Sequence, residues 1–120
     1  NVSLDVYDFL EERVQYCRSL GIKKENLIID PGIGFGKNCQ QNSEILKNLS
    51  LFHLIGCPIM LGVSRKRFIS EITNEDDPKN RLGGTMAAIF SSIRQGVQIH
   101  RVHDVKELSQ ALKVFEKIYC

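Results

Sequence analysis

The sequence predicts an α/β protein in which parallel strands alternate with long helices. Three short apolar runs, at residues 27–29, 58–63 and 97–102, are separated by stretches of helical periodicity. The resulting order, α-β-α-β-α-β-α, is typical of a parallel sheet. Two architectures fit this order: a small open three-layer sheet, and the C-terminal half of a (β/α)8 TIM barrel, because a whole barrel takes about 250 residues.

The helices are predicted from apolar residues that recur at spacings of three and four. Glycines 21, 56 and 96 follow the first three patterns, as is typical of a helix end. Asp104 begins the fourth, with Glu107 three residues later. The apolar residues that define the four helices are Val6, Phe9, Leu10, Val14, Cys17 and Leu20; Ile45, Leu46, Leu49, Phe52 and Ile55; Leu82, Met86, Ala87, Phe90 and Ile93; and Leu108, Ala111, Leu112, Phe115 and Ile118.

Composition and charge narrow the function classes. The 120 residues carry 16 Lys and Arg against 14 Asp and Glu, and this near-balance gives no reason to expect nucleic acid or a membrane as a partner. The apolar fraction of 42% and charged fraction of 25% are those of a globular domain, which excludes disorder. The chain begins with Asn1 rather than Met, so we expect it to be a piece of a longer polypeptide.

The four cysteines are expected to be reduced thiols of a cytoplasmic protein. No two of them form a C-x-x-C pair, which argues against a four-cysteine zinc site, and no secretory leader supports a disulfide framework. Cys17 and Cys57 are predicted to lie in the core. Cys39 falls in residues 33–41, a glycine-containing stretch without periodicity that predicts a loop.

Polar side chains follow each predicted strand. The first strand delivers Asp30, the second Ser64, Arg65 and Lys66, and the third Arg101 and His103. In parallel α/β folds ligands bind at the carboxyl ends of the strands. The sequence therefore predicts a ligand site at this edge of the sheet, whereas His53 and His100 have no comparable context and are predicted to be ordinary structural residues.

The glycine-rich loop after Asp30 does not match a phosphate-binding loop. Lys37 stands where the G-x-G-x-x-G pattern needs its last glycine, and Asn38 stands where a Walker A loop needs Ser or Thr. A carboxylate at a strand end suits a group with two parallel N–H donors. The alternative is a turn residue that accepts a hydrogen bond from its own loop.

The cationic groups suit acceptors and anions. Lys66 could donate to a heterocycle, and Ser64 with nearby backbone N–H groups could hold a carboxylate. The alternative for residues 64–68 is a short, solvated basic patch. Arg101 and His103 lie on the same side of a strand, where they could bind an anion such as phosphate. The alternative for this pair is a salt bridge to a neighbouring loop, and Asp104 is interpreted only as the helix cap.

Together these motifs resemble dihydropteroate synthase. The segments that carry the resemblance are residues 29–37, 62–68 and 101–105, and the likeness extends over the whole chain. It implies that residues 1–120 are the C-terminal part of one pterin-binding TIM-barrel domain. The family condenses 7,8-dihydropterin-6-ylmethyl pyrophosphate with 4-aminobenzoate to give 7,8-dihydropteroate and pyrophosphate, a step of folate biosynthesis and the target of sulfonamides.

The resemblance also implies roles for particular residues. The residues expected to bind the pterin are Asp30, Gly62 and Lys66. Those expected on the 4-aminobenzoate side are Phe35, Ser64 and Arg65. Arg101 and His103 would bind the pyrophosphate, and with Lys66 they form the expected catalytic set.

Part of the catalytic apparatus is expected outside this chain. By the resemblance, Mg²⁺ is the cofactor, its ligands come from the N-terminal half, and no metal ligand is assigned here. The isolated segment is therefore expected to be inactive. A homodimer through the C-terminal helices is also implied.

Two other interpretations stay open. A pterin-binding methyltransferase barrel would share the aspartate-based pterin pocket, but methyl transfer releases no pyrophosphate and gives the Ser-Arg-Lys and Arg-x-His motifs no task. A non-catalytic α/β binding module would need protected edge strands. The apolar runs at 27–29 and 58–63 lack such protection, which favours a sheet that continues elsewhere.

Overall fold

A computed structural model describes residues 1–119, and within this range helices pack around a short parallel sheet. The α-helices are α1 (Val2–Ser19), α2 (Cys39–Lys47), α3 (Arg67–Thr73), α4 (Leu82–Arg94) and α5 (Val105–Tyr119). The strands are β1 (Met60–Leu61) and β2 (Ile99–His100), and 3-10 turns occupy Lys24–Asn26, Leu49–Ile55 and Pro78–Asn80. Cys120 lies outside the described residues, and so does the prediction for its thiol.

The strands are parallel, as predicted, but shorter. Met60 pairs with Ile99, and the first predicted strand is reduced to a single parallel bridge between Ile29 and Ile59. One cause is that the Ile59 N–H donates to the Gln98 side chain at 2.9 Å, not to a backbone carbonyl, so the ladder begins later than the apolar run. The neighbouring Ile28 is 58% exposed, so it has no partner layer among residues 1–119.

The second predicted helix was wrong in both its start and its continuity. Helix α2 begins at Cys39, because Asn38 and Gln41 form a reciprocal capping box that the glycine-rich surroundings concealed. Cys39 is therefore the first residue of a helix and half-buried, not a loop residue. The helix ends at Lys47, and the rest of the predicted segment is the 3-10 turn Leu49–Ile55.

Helix α4 buries a different face from the predicted one. Its deepest residues are Thr85, Ile89 and Ser92, while Ala87 is exposed and the other predicted residues are half-buried. Thr85 and Ser92 can be buried because their hydroxyls form hydrogen bonds to backbone groups. The apolar pattern thus identified the helix but not its inner face.

The core is formed by apolar side chains of the strands, the helices and the 3-10 turn Leu49–Ile55. Its fully buried side chains include Ile33, Ile45, Leu49, Phe52, Ile55, Ile59, Leu61, Val63 and Ile89. Cys57 is buried, as predicted, whereas Cys17 is only half-buried on α1. Within residues 1–119 no helix combines the length and the apolar character that crossing a membrane requires.

The packing predicts a contrast within the segment Leu49–Ile55. Leu49 is fully buried, whereas Leu54 is 74% exposed. Leu49→Ala should lower the free energy of unfolding by about 2–5 kcal/mol through lost burial and a cavity. Leu54→Ala is the control and should change it by no more than about 0.5 kcal/mol. Urea denaturation measures both, and equal losses would contradict this packing.

Candidate functional site

The carboxyl ends of the three paired segments meet at one edge of the sheet. There, a cavity of about 320 Å³ is lined by Gly62, Ser64, Lys66, Arg101, Val102 and His103. Five of these six residues were singled out from the sequence. The parallel register brings them together, because it places the residues that follow β1 beside those that follow β2.

Arg101 lies directly across the backbone of Gly62. A Cβ atom built on Gly62 would come within 2.7 Å of Arg101 Nη2. Glycine at position 62 therefore leaves room for the Arg101 guanidinium to pack against the backbone that follows β1. Arg101 remains exposed, so its donors are available to a ligand.

Ser64 holds His103 by two hydrogen bonds. The Ser64 Oγ accepts from the backbone N–H of His103 at 3.1 Å and lies 2.8 Å from His103 Nδ1. Oγ can accept the backbone proton and at the same time donate its own hydrogen to Nδ1, which is one of the two tautomers that the geometry allows. The neutral imidazole then carries its proton on Nε2, where it can be donated to an anion. Sequence reasoning had linked Ser64 only to a substrate carboxylate and missed this partner.

Asp30 has the turn role that was one of the two alternatives left open by the sequence, and the ligand role stays a prediction. Its Oδ1 accepts from Gly32 N at 2.8 Å, which is the turn role. No hydrogen bond from residues 1–119 engages Oδ2, so that oxygen can still accept from a ligand. Lys37 then ties the loop together, because its Nζ donates to the carbonyls of Gly32 and Phe35.

Lys66 is fixed by the same loop. Its Nζ donates to the Ile33 carbonyl and lies 4.8 Å from the centre of the Phe35 ring, a cation–π distance. Gly34 has a positive φ of 87°, and a Cβ atom there would lie 3.2 Å from Lys66 Cδ. The glycine is thus required both by the turn and by the passage of the lysine chain.

The electrostatics of the site depend on partial burial. Burial lowers the pKa of Lys66, and the charges of Arg101 and Lys37 lower it further, while the Asp30 carboxylate opposes them. Burial also lowers the pKa of Lys37, again opposed by Asp30. A single carboxylate therefore balances several cations, and the site retains an excess of positive charge.

Arg65 does not line the cavity. Its guanidinium forms a two-point pair with Asp104, Nη2 to Oδ1 at 2.9 Å and Nε to Oδ2 at 3.3 Å. Asp104 directly precedes α5, as predicted, but its side chain has this further task that the helix-cap interpretation missed. Because both side chains are partly exposed, the pair adds little to stability, and its role is to fix geometry.

Sequence reasoning also missed three buried polar residues behind the site. Asn42 Oδ1 accepts from Gly34 N, Thr85 Oγ1 accepts from Arg65 N, and Arg81 donates to the Arg65 carbonyl. Thr85 could have been found as a polar residue on an otherwise apolar helix, and Arg81 as a polar residue at the start of a helix. Of the two remaining histidines, His53 donates to the Gln95 carbonyl, which is a structural contact. His100 lies in β2, where burial lowers its pKa, and neither of its buried ring nitrogens has a hydrogen-bond partner among residues 1–119.

The described residues do not form a metal centre. Within residues 1–119, no three His, Cys, Asp or Glu side chains converge as ligands would. The set around the cavity is cationic, which suits an anion and disfavours a divalent cation. The Mg²⁺ that the resemblance implies does not fit the residues present here.

Comparison with known proteins adds independent evidence. A family model described as "Pterin binding enzyme" matches residues 1–103, which is most of the chain. The chain belongs to this pterin-binding family. The dihydropteroate synthase of Haemophilus influenzae is 43% identical over 116 residues, covering 97% of this chain and 42% of that protein. That of Escherichia coli K12 is 40% identical over 116 residues, covering 97% and 41%.

Solved structures of dihydropteroate synthases agree with these sequence relatives. The Xanthomonas albilineans enzyme in complex with 7,8-dihydropteroate has a TM-score of 0.97 at 38% identity, over 100% of this chain and 46% of that one. The Thermus thermophilus enzyme in complex with 6HMPPP has a TM-score of 0.94 at 37% identity, over 100% and 47%. The resemblance to dihydropteroate synthase is confirmed, and the chain spans less than half the length of these relatives.

The balance of charges predicts how Lys66 responds to Asp30. Asp30→Asn removes the carboxylate that raises the pKa of Lys66, so this pKa should fall further below 10.5. Titration of the lysine side-chain signals by NMR measures it, with the exposed Asp8→Asn as control. An unchanged or higher pKa in Asp30→Asn would contradict the assignment.

The same shift has a consequence for stability. Because burial lowers the pKa, the folded chain binds the Lys66 proton less tightly than the unfolded chain does. The contribution of Lys66 to the free energy of unfolding therefore rises with pH between its folded pKa and 10.5. Because Asp30→Asn should lower the folded pKa of Lys66, the pH range over which the free energy of unfolding rises should extend to lower pH.

Proposed function

We propose that this chain is the C-terminal part of a dihydropteroate synthase and that its cavity binds the reacting pterin pyrophosphate. The observation that carries the proposal is the convergence of Lys66, Arg101 and His103 on one small cavity whose lining contains no carboxylate. The similar synthases named above add support, since one is described with 6HMPPP and another with 7,8-dihydropteroate.

Arg101 and His103 are proposed to hold the pyrophosphate. Arg101 offers a planar guanidinium with several N–H donors, and His103 offers Nε2–H when Ser64 engages Nδ1. As the C–O bond between the pterin methylene and the pyrophosphate breaks, the electron pair leaves with the pyrophosphate. Donors already aimed at that charge lower the barrier, because they need no rearrangement during the reaction.

Asp30 and Lys66 are proposed to bind the pterin ring. The free Oδ2 of Asp30 suits the N–H donors of an aminopyrimidine edge, and the ammonium of Lys66 suits ring acceptors. Gly62 would form the wall between them and Arg101. Together these contacts fix the methylene carbon for attack by the aminobenzoate nitrogen, which forms the new C–N bond and gives up a proton.

The 4-aminobenzoate side is proposed to lie near Phe35, Ser64 and Arg65. The Phe35 ring is 66% exposed and stands over Lys66, so an aromatic ring can pack against it next to the pterin. Ser64 is held by His103, and Arg65 is held by Asp104 and by Thr85, which accepts its backbone N–H. The two residues would therefore contribute mainly through the side-chain donors that these partners leave free.

The remaining parts of the proposal concern groups beyond this chain. We place the ligands of Mg²⁺ outside the segment, and we expect the segment alone to be inactive. A homodimer through the last two helices stays a prediction. The exposed apolar side chains Val114, Ile118 and Tyr119 of α5 are the surface that such a dimer would use.

The activity is tested in the full-length protein that contains this segment. Supplied with pterin pyrophosphate and 4-aminobenzoate, it should release pyrophosphate only when both are present. Lys66→Ala should weaken binding of the pterin pyrophosphate about 10- to 100-fold, as expected for a lost hydrogen bond to a charged donor. Calorimetric titration measures this, with the exposed Lys79→Ala as control.

Two results would overturn the proposal. Pyrophosphate release that ignores 4-aminobenzoate would indicate a hydrolase rather than a synthase. Pterin binding without any pyrophosphate chemistry, but with methyl transfer, would indicate the methyltransferase alternative.

A pair of glycine substitutions tests the anion part of the proposal. In Gly62→Ala the new methyl group would displace the flexible end of Arg101, so affinity for inorganic pyrophosphate should fall while the unfolding midpoint stays nearly constant. Gly83→Ala is the control, because nothing lies within 4 Å of its Cβ position and it lies in α4. That variant should gain about 0.5–1 kcal/mol in stability and keep its affinity. Equal pyrophosphate affinity in both variants would place the anion elsewhere.

A further inference from the structure

The turn between β1 and α3 contains a residue in an unfavourable backbone conformation. Arg65 has a φ of 58°, in the left-handed region, which is unfavourable for a residue other than glycine. Its two neighbours, Ser64 and Lys66, both line the cavity. The conformation of Arg65 therefore decides whether these two side chains face the same space.

Hydrogen bonds to three side chains hold Arg65 in this conformation. Its backbone N–H donates to Thr85 Oγ1 at 3.1 Å, and its carbonyl accepts from Arg81 Nη1 at 2.8 Å. Its guanidinium is bound by Asp104. Both backbone groups of the residue are thus satisfied by side chains at the start of α4.

Arg81 has an unusual set of partners for a buried cation. Only 8% of its surface is exposed, and its guanidinium donates to three backbone carbonyls, those of Arg65, Glu75 and Asp76. Within residues 1–119 it forms no ion pair with a carboxylate. Burying a charge is costly, so a buried guanidinium that serves only carbonyls indicates a need for its planar, multidirectional donors.

We infer that Arg81 is a positioning residue for the cavity: with Thr85 it holds the left-handed turn at Arg65, and thereby aims Ser64 and Lys66. The inference rests on the proposed function only in treating the cavity as the substrate site. Arg81 itself is not among the cavity-lining residues, so it acts through the turn and not by contact with substrate.

The choice of arginine is part of the inference. A lysine has one nitrogen and cannot reach three carbonyls that belong to two separate segments, the turn at Arg65 and the loop at Glu75 and Asp76. Arg81→Lys keeps the charge and removes the fork. If the fork matters, Arg81→Lys should behave like a milder form of Arg81→Ala.

The test uses the full-length protein and two readouts. Hydrogen exchange of the peptide covering residues 62–68 should become faster in Arg81→Ala, Arg81→Lys and Thr85→Val. In the synthase assay, KM for pterin pyrophosphate should rise about tenfold or more in Arg81→Ala, because small misplacements of binding groups are costly. Thr85→Val, which changes no charge, serves if Arg81→Ala does not fold.

Gln95→Ala is the matched control. The Gln95 side chain also joins backbone groups of two elements, donating to the Leu46 carbonyl at 2.6 Å and accepting from Ser50 N at 3.1 Å. It precedes β2, whereas the cavity follows β2, so it lies at the opposite end of the sheet. Gln95→Ala should lower the unfolding midpoint but leave KM and the exchange of residues 62–68 unchanged.

The outcomes separate this inference from the proposed function. Three results would overturn the inference. The first is faster exchange of residues 62–68 with unchanged KM in the Arg81 and Thr85 variants, and the second is unchanged exchange in these variants. The third is the same change of KM in Arg81→Ala and in Gln95→Ala. Wild-type protein without synthase activity would instead overturn the proposed function. In that case the exchange measurements alone decide whether Arg81 holds the turn.

Discussion

Parallel pairing of very short strands is the constraint on which the site depends. Backbone hydrogen bonds join Ile29 to Met60, Ile59 to Ile99, and Leu61 to Arg101. Because the strands run in the same direction, the residues that leave them emerge at one edge. Asp30, Lys66 and Arg101 are far apart along the chain, and this pairing brings the segments that carry them to one edge of the sheet. Lys66 and Arg101 line the same cavity there, whereas Asp30 lines a second one with Phe35 and Lys37.

The strands bring the functional groups to one edge of the sheet, and neutral polar side chains then fix the loops and turns that carry these groups. Asn42, Ser64 and Thr85 are buried, and each forms a hydrogen bond with a backbone N–H group in a loop or turn that borders the site. Such groups can be buried because they carry no charge and are paired. The cations that they support stay nearer the solvent, where a ligand can reach them.

Much of this arrangement could be predicted from the sequence, and the failures share a physical cause. Apolar spacing located all the long helices, and polar residues after apolar runs located Asp30, Lys66, Arg101 and His103. Periodicity could not reveal that Thr85 faces inward or that Asn38 starts a helix, because both depend on hydrogen bonds to particular backbone groups. The same holds for Arg81, whose three partners lie in two loops without any periodic pattern.

The charge at the site explains why the glycine-rich loop at residues 32–37 accompanies it. Lys37 and Lys66 both donate to carbonyls of residues 32–35, so the loop supplies partial negative charge where only one carboxylate, Asp30, stands near. Without these carbonyls the lysines would be buried with fewer compensating partners, and their charged forms would be less stable. The glycines of this loop give it the positive φ angles that turn its carbonyls inward. The loop therefore stabilises a cationic site, which is the opposite of the task that glycine-rich loops perform when their N–H groups bind phosphate.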